Sequence, residues 1–309
     1  MRVVFFGTPD FAVPSLRALA ERFPVVGVVS QPDRPAGRGR RPQPPPVKRA
    51  ALELRLPVLQ PDRVRAPEAL AAIETWRPDV LVVAAFGQIL PPALLEMPAY
   101  GGVNVHASLL PRWRGASPVQ SSLLHGDSET GVTIMKMDEG MDTGPILAQR
   151  SLTIRSDHTG GSLTAELAEL GARLLVETLP DYLAGELTPL PQDEQLATLA
   201  PRLRPSDTGL DPAQTALVLE RKVRALSPKP AARVLWGDTV MRILDARALP
   251  GPASAPGTVV VREGLPLVAA GEGWLQLARV QLPGGKAVDG RAFLAGHGSF
   301  VGSVLRPPA

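Results

Sequence analysis

Gly102-Val103-Asn104-Val105-His106-Ala107-Ser108-Leu109-Leu110-Pro111-Arg112-Trp113-Arg114-Gly115 sets two polar residues into a short apolar strand. A loop rich in proline, arginine and glycine follows at once. Residues alternate between faces along a strand, so Asn104 and His106 project side by side at its carboxyl end. An amide and an imidazole converging there can hold one small polar group, such as a carbonyl whose oxygen gains charge during reaction. The plainer reading is that both side chains bond nearby backbone. The pair by itself does not decide between the two.

Working outward, the preceding sequence alternates strands and helices. Arg2 to Phe6 is an apolar β-run ending in Gly7-Thr8-Pro9-Asp10, and a helical pattern through Leu16, Leu19 and Ala20 follows. Val25 to Val29 reads as a strand, Val47 to Leu54 as a helix, Val58-Leu59 as a short strand and Pro67 to Trp76 as a helix. Val80 to Ala85 is a continuous apolar run of the kind buried on both faces of a parallel sheet. Gly131 to Met137 and Ile146 to Ile154 add two strands, and Thr159 to Leu183 a long closing helix. This alternation predicts a doubly wound, mostly parallel, Rossmann-like α/β domain whose ligand lies beyond the carboxyl ends of the strands. The first turn reads Gly7-Thr8-Pro9-Asp10-Phe11-Ala12 and lacks the glycines that cradle a pyrophosphate, which argues against a dinucleotide-dependent dehydrogenase. No Walker A motif and no Gly-x-Ser-x-Gly elbow is present.

A chain of 309 residues suggests two domains at about 150 residues each. Thr188 to Thr208, with several prolines and scattered acids, reads as a connector, giving a first domain over 1–188, a linker over 189–207 and a second domain over 208–309. Pro212 to Leu226 is helical. Arg233 to Trp236, Val240 to Asp245, Thr258 to Val261, Leu265 to Ala269 and Trp274 to Leu282 are short β-runs between Gly/Pro/Asp turns. Five such strands predict a small OB-like β-barrel, an architecture that often binds oligonucleotides. From Pro201 onward there are 14 Lys/Arg against 8 Asp/Glu, whereas the first 200 residues hold 19 against 22. The basic balance of the second half points to a polyanionic partner there.

Zero cysteines exclude disulfides and a cysteine nucleophile. No apolar run approaches the roughly 18 residues of a membrane span, and the N-terminus enters a strand without a signal-peptide pattern. A cytoplasmic protein with no membrane partner is expected. Asp142, in Met141-Asp142-Thr143-Gly144-Pro145, offers a turn carboxylate that can orient His106 and accept a proton directly or through water. Asp138 and Glu139 lie close to it in sequence, and such a turn aspartate can also bond its own backbone. His125, His158 and His297 have no metal-ligand spacing, and no metal site is expected. Between Asp33 and Arg49 stand six basic residues and one acid: Arg34, Arg38, Arg40, Arg41, Lys48 and Arg49 against Asp33. Its glycines and prolines predict a mobile basic loop, neither helix nor strand, able to seize phosphates beside the ligand crevice.

These segments resemble one family. Phe6-Gly7-Thr8-Pro9-Asp10-Phe11, the run from Gln31 to Gly39, Asn104 to Gly115, Gly131 to Met135 and Met141-Asp142-Thr143-Gly144 are similar, in order, to the methionyl-tRNA formyltransferases. The likeness continues through Gly271 to Leu277 and Gln281 to Lys286. Asn-x-His-x-Ser-Leu-Leu-Pro with a later Asp-Thr-Gly is shared by the wider folate-dependent formyltransferase superfamily, and the Arg/Gly loop and barrel separate the tRNA enzymes. The resemblance implies formyl transfer from 10-formyltetrahydrofolate, as co-substrate, to the α-amine of methionyl initiator tRNA. It implies Asn104, His106 and Asp142 as catalytic residues. It also implies folate contacts along Ser108, Leu109, Leu110 and Pro111, with an apolar wall from Phe86, Gly87, Gln88, Ile89 and Leu90. Arg38 would meet the first base pairs of the acceptor stem, with Arg34, Arg40 and Arg41 in the same loop, and the enzyme would be a monomer. Ala107 stands where the family often has glycine, and Lys229 where an aromatic residue is common. The alternatives are a formyltransferase of an amino sugar nucleotide, against which the basic loop speaks, and a non-catalytic nucleic-acid-binding relative.

Overall fold

A computed structural model describes residues 1–36, 41–251 and 254–308, which form two compact units. Unit 1 comprises Met1–Pro118, Glu129–Thr153 and Thr164–Ala200; unit 2 comprises Val119–Ser128, Ile154–Leu163 and Pro201–Ala309.

The strands of unit 1 are β1 (Val3–Gly7), β2 (Val25–Val29), β3 (Val58–Leu59), β4 (Val80–Ala84), β5 (Gly102–His106), β6 (Glu129–Lys136) and β7 (Ile146–Thr153). They line up in one sheet in the order β7-β6-β5-β4-β1-β2-β3. The pairs from β5 through β4, β1 and β2 to β3 are parallel, while β6 and β7 join antiparallel at the other edge. All five residues of β1, β4 and β5 are buried, and β1 and β4 accordingly read as unbroken apolar runs. Their core gathers Val4, Phe6, Leu81, Val83, Phe86 and Leu90, with Ile73 from the helix α3 (Pro67–Thr75). Helices α1 (Val13–Arg22), α2 (Pro46–Glu53) and α3 each open with a proline in the first turn, where its missing N–H costs nothing. The long helix Gly160–Ala184 lies so close to β5 and β6 that a Cβ on Gly171 would stand 2.8 Å from Val105 Cγ1. Glycine is therefore required for that approach.

The strands of unit 2 are β8 (Ala232–Trp236), β9 (Thr239–Leu249), β10 (Val259–Arg262), β11 (Leu265–Ala269), β12 (Trp274–Gln281), β13 (Val288–Asp289) and β14 (Leu305–Arg306). Their order is β10-β11-β12-β9-β8-β14, with β13 on β12. A bridge between Thr258 and Val304 joins the two ends, so the antiparallel sheet curls into a barrel. Its core includes Val234, Met241, Ile243, Leu277, Val280, Phe293 and Phe300, covered by Leu219 and Val223 of the helix Ala216–Leu226. The last two strands and the helix Gly290–Gly296 had no periodic signal. They hold two and seven residues, and the helix rests on a local cap, with Asp289 Oδ1 accepting from Ala292 N at 2.9 Å.

Candidate active site

β5 ends the parallel run of the sheet and pairs with β4 on one side and β6 on the other, which fixes Asn104 opposite Met135 and His106 opposite Thr133. Both polar side chains are more than nine-tenths buried. Asp142, on the turn between β6 and β7, reaches over this strand end. Its Oδ1 accepts from Asn104 Nδ2 at 3.4 Å, its Oδ2 accepts from Gly115 N at 2.9 Å, and that same Oδ2 lies 3.5 Å from His106 Nδ1. Asn104, His106 and Asp142, 38 residues apart in sequence at the widest, thus converge on one point. In the same turn, Asp138 accepts from Thr143 Oγ1 and Gly140 N.

The other ring nitrogen of His106 is spent. Nε2 lies 3.0 Å from Trp113 O, and a carbonyl only accepts, so Nε2 carries the proton in the neutral ring. Nδ1 is then the nitrogen that faces Asp142. This tautomer was not legible in the sequence, because it depends on where the Arg112-Trp113 turn brings its carbonyl.

Ser108 to Pro111 is pinned by two residues outside the motif. Thr133 Oγ1 donates to Ser108 O at 2.7 Å and accepts from Leu110 N at 3.0 Å; Gln149 Nε2 donates to Leu110 O at 2.8 Å. The signal for Thr133 was present, as the one polar residue inside the apolar run Val132 to Met135. The Ser108 hydroxyl turns inward and donates to Arg112 O at 2.6 Å. Along the other expected wall, Phe86 and Leu90 are buried in the core, and Gln88 Oε1 accepts from Val64 N at 2.7 Å. Gly87 is exposed, and Ile89 is 89% exposed. Thr8 Oγ1, from the turn after β1, donates to Phe86 O at 2.8 Å and ties the ends of β1 and β4 together.

The basic segment departs from expectation. Arg34–Ala36 and Arg41–Gln43 form a short antiparallel ribbon, so part of it is strand. Pro35 and Pro42 face each other between the Arg34–Gln43 and Ala36–Arg41 pairs, a position that suits residues without an N–H. Arg34 and Arg41 are exposed, whereas Arg38 and Arg40 lie outside the described residues. At the foot of the ribbon Lys48 Nζ contacts both oxygens of Asp33 at 2.8 and 2.9 Å, and Gln60 Nε2 donates to Asp33 Oδ1. These bonds, that from Lys48 foremost, hold the Asp33 carboxyl below its ordinary range. Lys48 is therefore a prop of the ribbon.

The segment expected to be a connector supplies residues that the sequence did not single out. Gln192 Nε2 donates to Asp142 O at 2.8 Å and to Gly144 O at 2.7 Å, and its Oε1 accepts from Arg114 Nη2 at 2.8 Å. Arg114 is buried and forks onto Glu194 at 2.7 and 2.8 Å, which raises the Arg114 pKa and lowers that of Glu194. Among the described residues no group of three or more His, Asp or Glu could hold a metal ion, and no helix is long and apolar enough to cross a membrane.

Residues 1–179 match the family model for formyl transferase, and residues 202–298 match that for the formyl transferase C-terminal domain. The methionyl-tRNA formyltransferase of Halorhodospira halophila is 53% identical over 299 residues, 96% of each chain. The chain belongs to the methionyl-tRNA formyltransferase family. The methionyl-tRNA formyltransferase of Myxococcus xanthus is 47% identical over 304 residues, covering 98% of this chain and 97% of its own. Among solved structures, WlaRD, a sugar 3N-formyl transferase in the presence of dTDP and 5-N-formyl-THF, aligns with a TM-score of 0.67 over 93% of this chain and 99% of its own. At 15% identity that likeness is one of fold. This formyltransferase is a formyl-transferring enzyme, and the amino-sugar and non-catalytic alternatives are not favoured.

Proposed function

We propose that this formyltransferase moves the formyl group of 10-formyltetrahydrofolate to the α-amine of methionyl initiator tRNA, as a cytoplasmic monomer. The observation that carries the reading is the convergence of Asn104, His106 and Asp142 at one strand end. Attack of the neutral amine on the formyl carbon places charge on the formyl oxygen. An amide nitrogen carries two hydrogens, so Asn104 can serve Asp142 with one and that oxygen with the other, a donor worth about 3 kcal/mol of barrier. The new N–C bond leaves a surplus proton on the amine. His106 Nδ1 and the Asp142 carboxylate, 3.5 Å apart, form the pair that takes it, directly or through water. His106 donates to the formyl oxygen only once Nδ1 has been protonated, because the Nε2 proton is committed to Trp113 O. The C–N bond to the folate then breaks, and the folate nitrogen leaves with a proton returned from the pair.

The folate is assigned to the groove beside Ser108 to Pro111, with Gly87 and Ile89 as the members of the expected wall that face solvent. Phe86, Gln88 and Leu90 then support that wall from behind. Arg34 and Arg41 on the ribbon, with Arg38 and Arg40 between them in sequence, are assigned to acceptor-stem phosphates. The basic balance of the second half supports contacts to the tRNA backbone. Incubation with 10-formyltetrahydrofolate and either methionyl-tRNA or an amino sugar nucleotide tests the assignment. Formyl on initiator methionyl-tRNA is expected; formyl on the sugar alone, or on neither acceptor, overturns it.

A further inference from the structure

Asp142 stands at φ 57°, a left-handed backbone conformation in which few residues other than glycine settle unless their surroundings hold them. Two grips hold it. The side chain is taken by Gly115 N–H, and the backbone carbonyl is taken by the Gln192 amide. Both grips belong to one structure. Leu199–Ala200 pairs in parallel with Arg114–Gly115, Thr198 O accepts from Arg114 N at 2.8 Å, and Thr198 Oγ1 accepts from Trp113 N at 2.9 Å. The chain from Gln192 to Ala200 therefore runs as a strap along Trp113 to Gly115, carrying Gln192 to the far side of the Asp142 turn.

Gln192 is itself oriented. The Nε and Nη2 groups of Arg114 both donate to its Oε1, at 3.0 and 2.8 Å, which settles which end of the amide is oxygen and points Nε2 at Asp142 O and Gly144 O. Glu194 then fills the remaining side of the guanidinium with two bonds. A chain of hydrogen bonds, charge-assisted at Arg114, thus leads from an exposed carboxylate, through a buried arginine and the neutral Gln192 amide, to the backbone of the residue assigned to proton transfer.

We infer that Gln192, oriented by Arg114 and Glu194, is a positioning residue that sets the Asp142 carboxylate against His106. The inference rests on the assignment of Asp142 to proton transfer. Gln192→Glu keeps an acceptor for Arg114 and removes both donors to the turn. Its kcat falls on the order of 10- to 100-fold, the scale of a misplacement of about 1 Å at a catalytic group. KM for the folate and for methionyl-tRNA stays within about twofold, since neither binding surface is touched. The pH profile of kcat shifts, and the 15N resonances of the His106 ring move, because the carboxylate facing Nδ1 has moved. Glu194→Gln, at a residue 69% exposed, disturbs the far end of the chain without risk to folding and gives a smaller loss in kcat with the same KM values.

Asp142→Ala is measured in parallel. Full activity in Asp142→Ala removes the proton-transfer assignment and the inference with it. An inactive Asp142→Ala beside a folded Gln192→Glu with unchanged kcat, pH profile and His106 resonances overturns the positioning role alone. Equal changes in kcat and both KM values, with a lowered melting temperature, also overturn it, since they mark a general loosening of the fold.

Discussion

His106 Nδ1 lies 3.5 Å from Asp142 Oδ2 while His106 Nε2 is bound to the carbonyl of Trp113. One nitrogen is thus anchored and the other left facing a carboxylate. The same Oδ2 accepts the Gly115 N–H, so the carboxylate cannot swing away from the ring without giving up a backbone bond. Anchoring the imidazole on one side and the carboxylate on the other is what preorganisation requires.

Asp142→Ala is expected to lower kcat by about 10²- to 10⁴-fold, the range of a lost acid–base group. tRNA affinity stays close to that of the unaltered enzyme, since the basic ribbon and the barrel are untouched. Single-turnover formylation and filter binding on the same preparation measure both.

Gly144→Ala is expected to damage the same turn from its other end. A Cβ at Gly144 would stand 1.9 Å from Lys136 O, an overlap that only backbone movement relieves. Overpacking of this kind costs about 1–3 kcal/mol, and here the movement is delivered to the turn that carries Asp142. A lowered melting temperature together with a fall in kcat is the expected outcome.

Asp33→Asn tests the foot of the ribbon. The Asp33 carboxyl is held low by Lys48 and Gln60, so its contribution is fully present above the ordinary carboxylate value near about pH 4 and is lost as pH falls through its lower folded value. The stability difference between the two proteins is therefore constant between pH 5 and 8, and closes in acid. KM for methionyl-tRNA rises severalfold while KM for the folate does not move, as steady-state kinetics with each substrate varied will register.

Lys222 carries the opposite kind of pH dependence. Its ammonium is half-buried on the helix Ala216–Leu226 and donates to Gly209 O; burial pushes its pKa down, more than Asp207 and Asp211 push it back up. Between the lowered folded value and the ordinary lysine value the unfolded chain binds more protons than the folded one, so stability rises with pH across that window. Relative to Lys222→Met, the unaltered enzyme gains unfolding free energy as pH is raised through it. Urea titrations at a series of alkaline pH values measure that gain.

The segment Thr188 to Thr208 shows why part of the site escaped the sequence. Its prolines and acids have no strand or helix period, and the elements it does form, the 3-10 turns Glu194–Leu196 and Pro205–Thr208 and the strand Leu199–Ala200, are too short to show one. Gln192 reaches Asp142 across 50 residues. The ribbon at Arg34 to Gln43 escaped for the converse reason, because its composition argues against strand while three-residue pairing tolerates the prolines. Phe86 and Leu90 stand in the core behind the wall assigned to the folate, and sequence alone does not separate an apolar side chain that lines a groove from one that backs it.

Asn104 and His106 were legible because a strand has a period of two, a purely local rule that puts both on one face whatever surrounds them. Local periodicity likewise carried the parallel sheet, the long helix and most barrel strands, and the motif order carried the family. The tertiary structure decided which groups meet at that strand end: which histidine nitrogen faces Asp142, which backbone N–H holds the carboxylate, and that Gln192, Arg114 and Glu194 stand behind it. Those contacts join residues far apart in the chain, and no period or propensity encodes a distance between them.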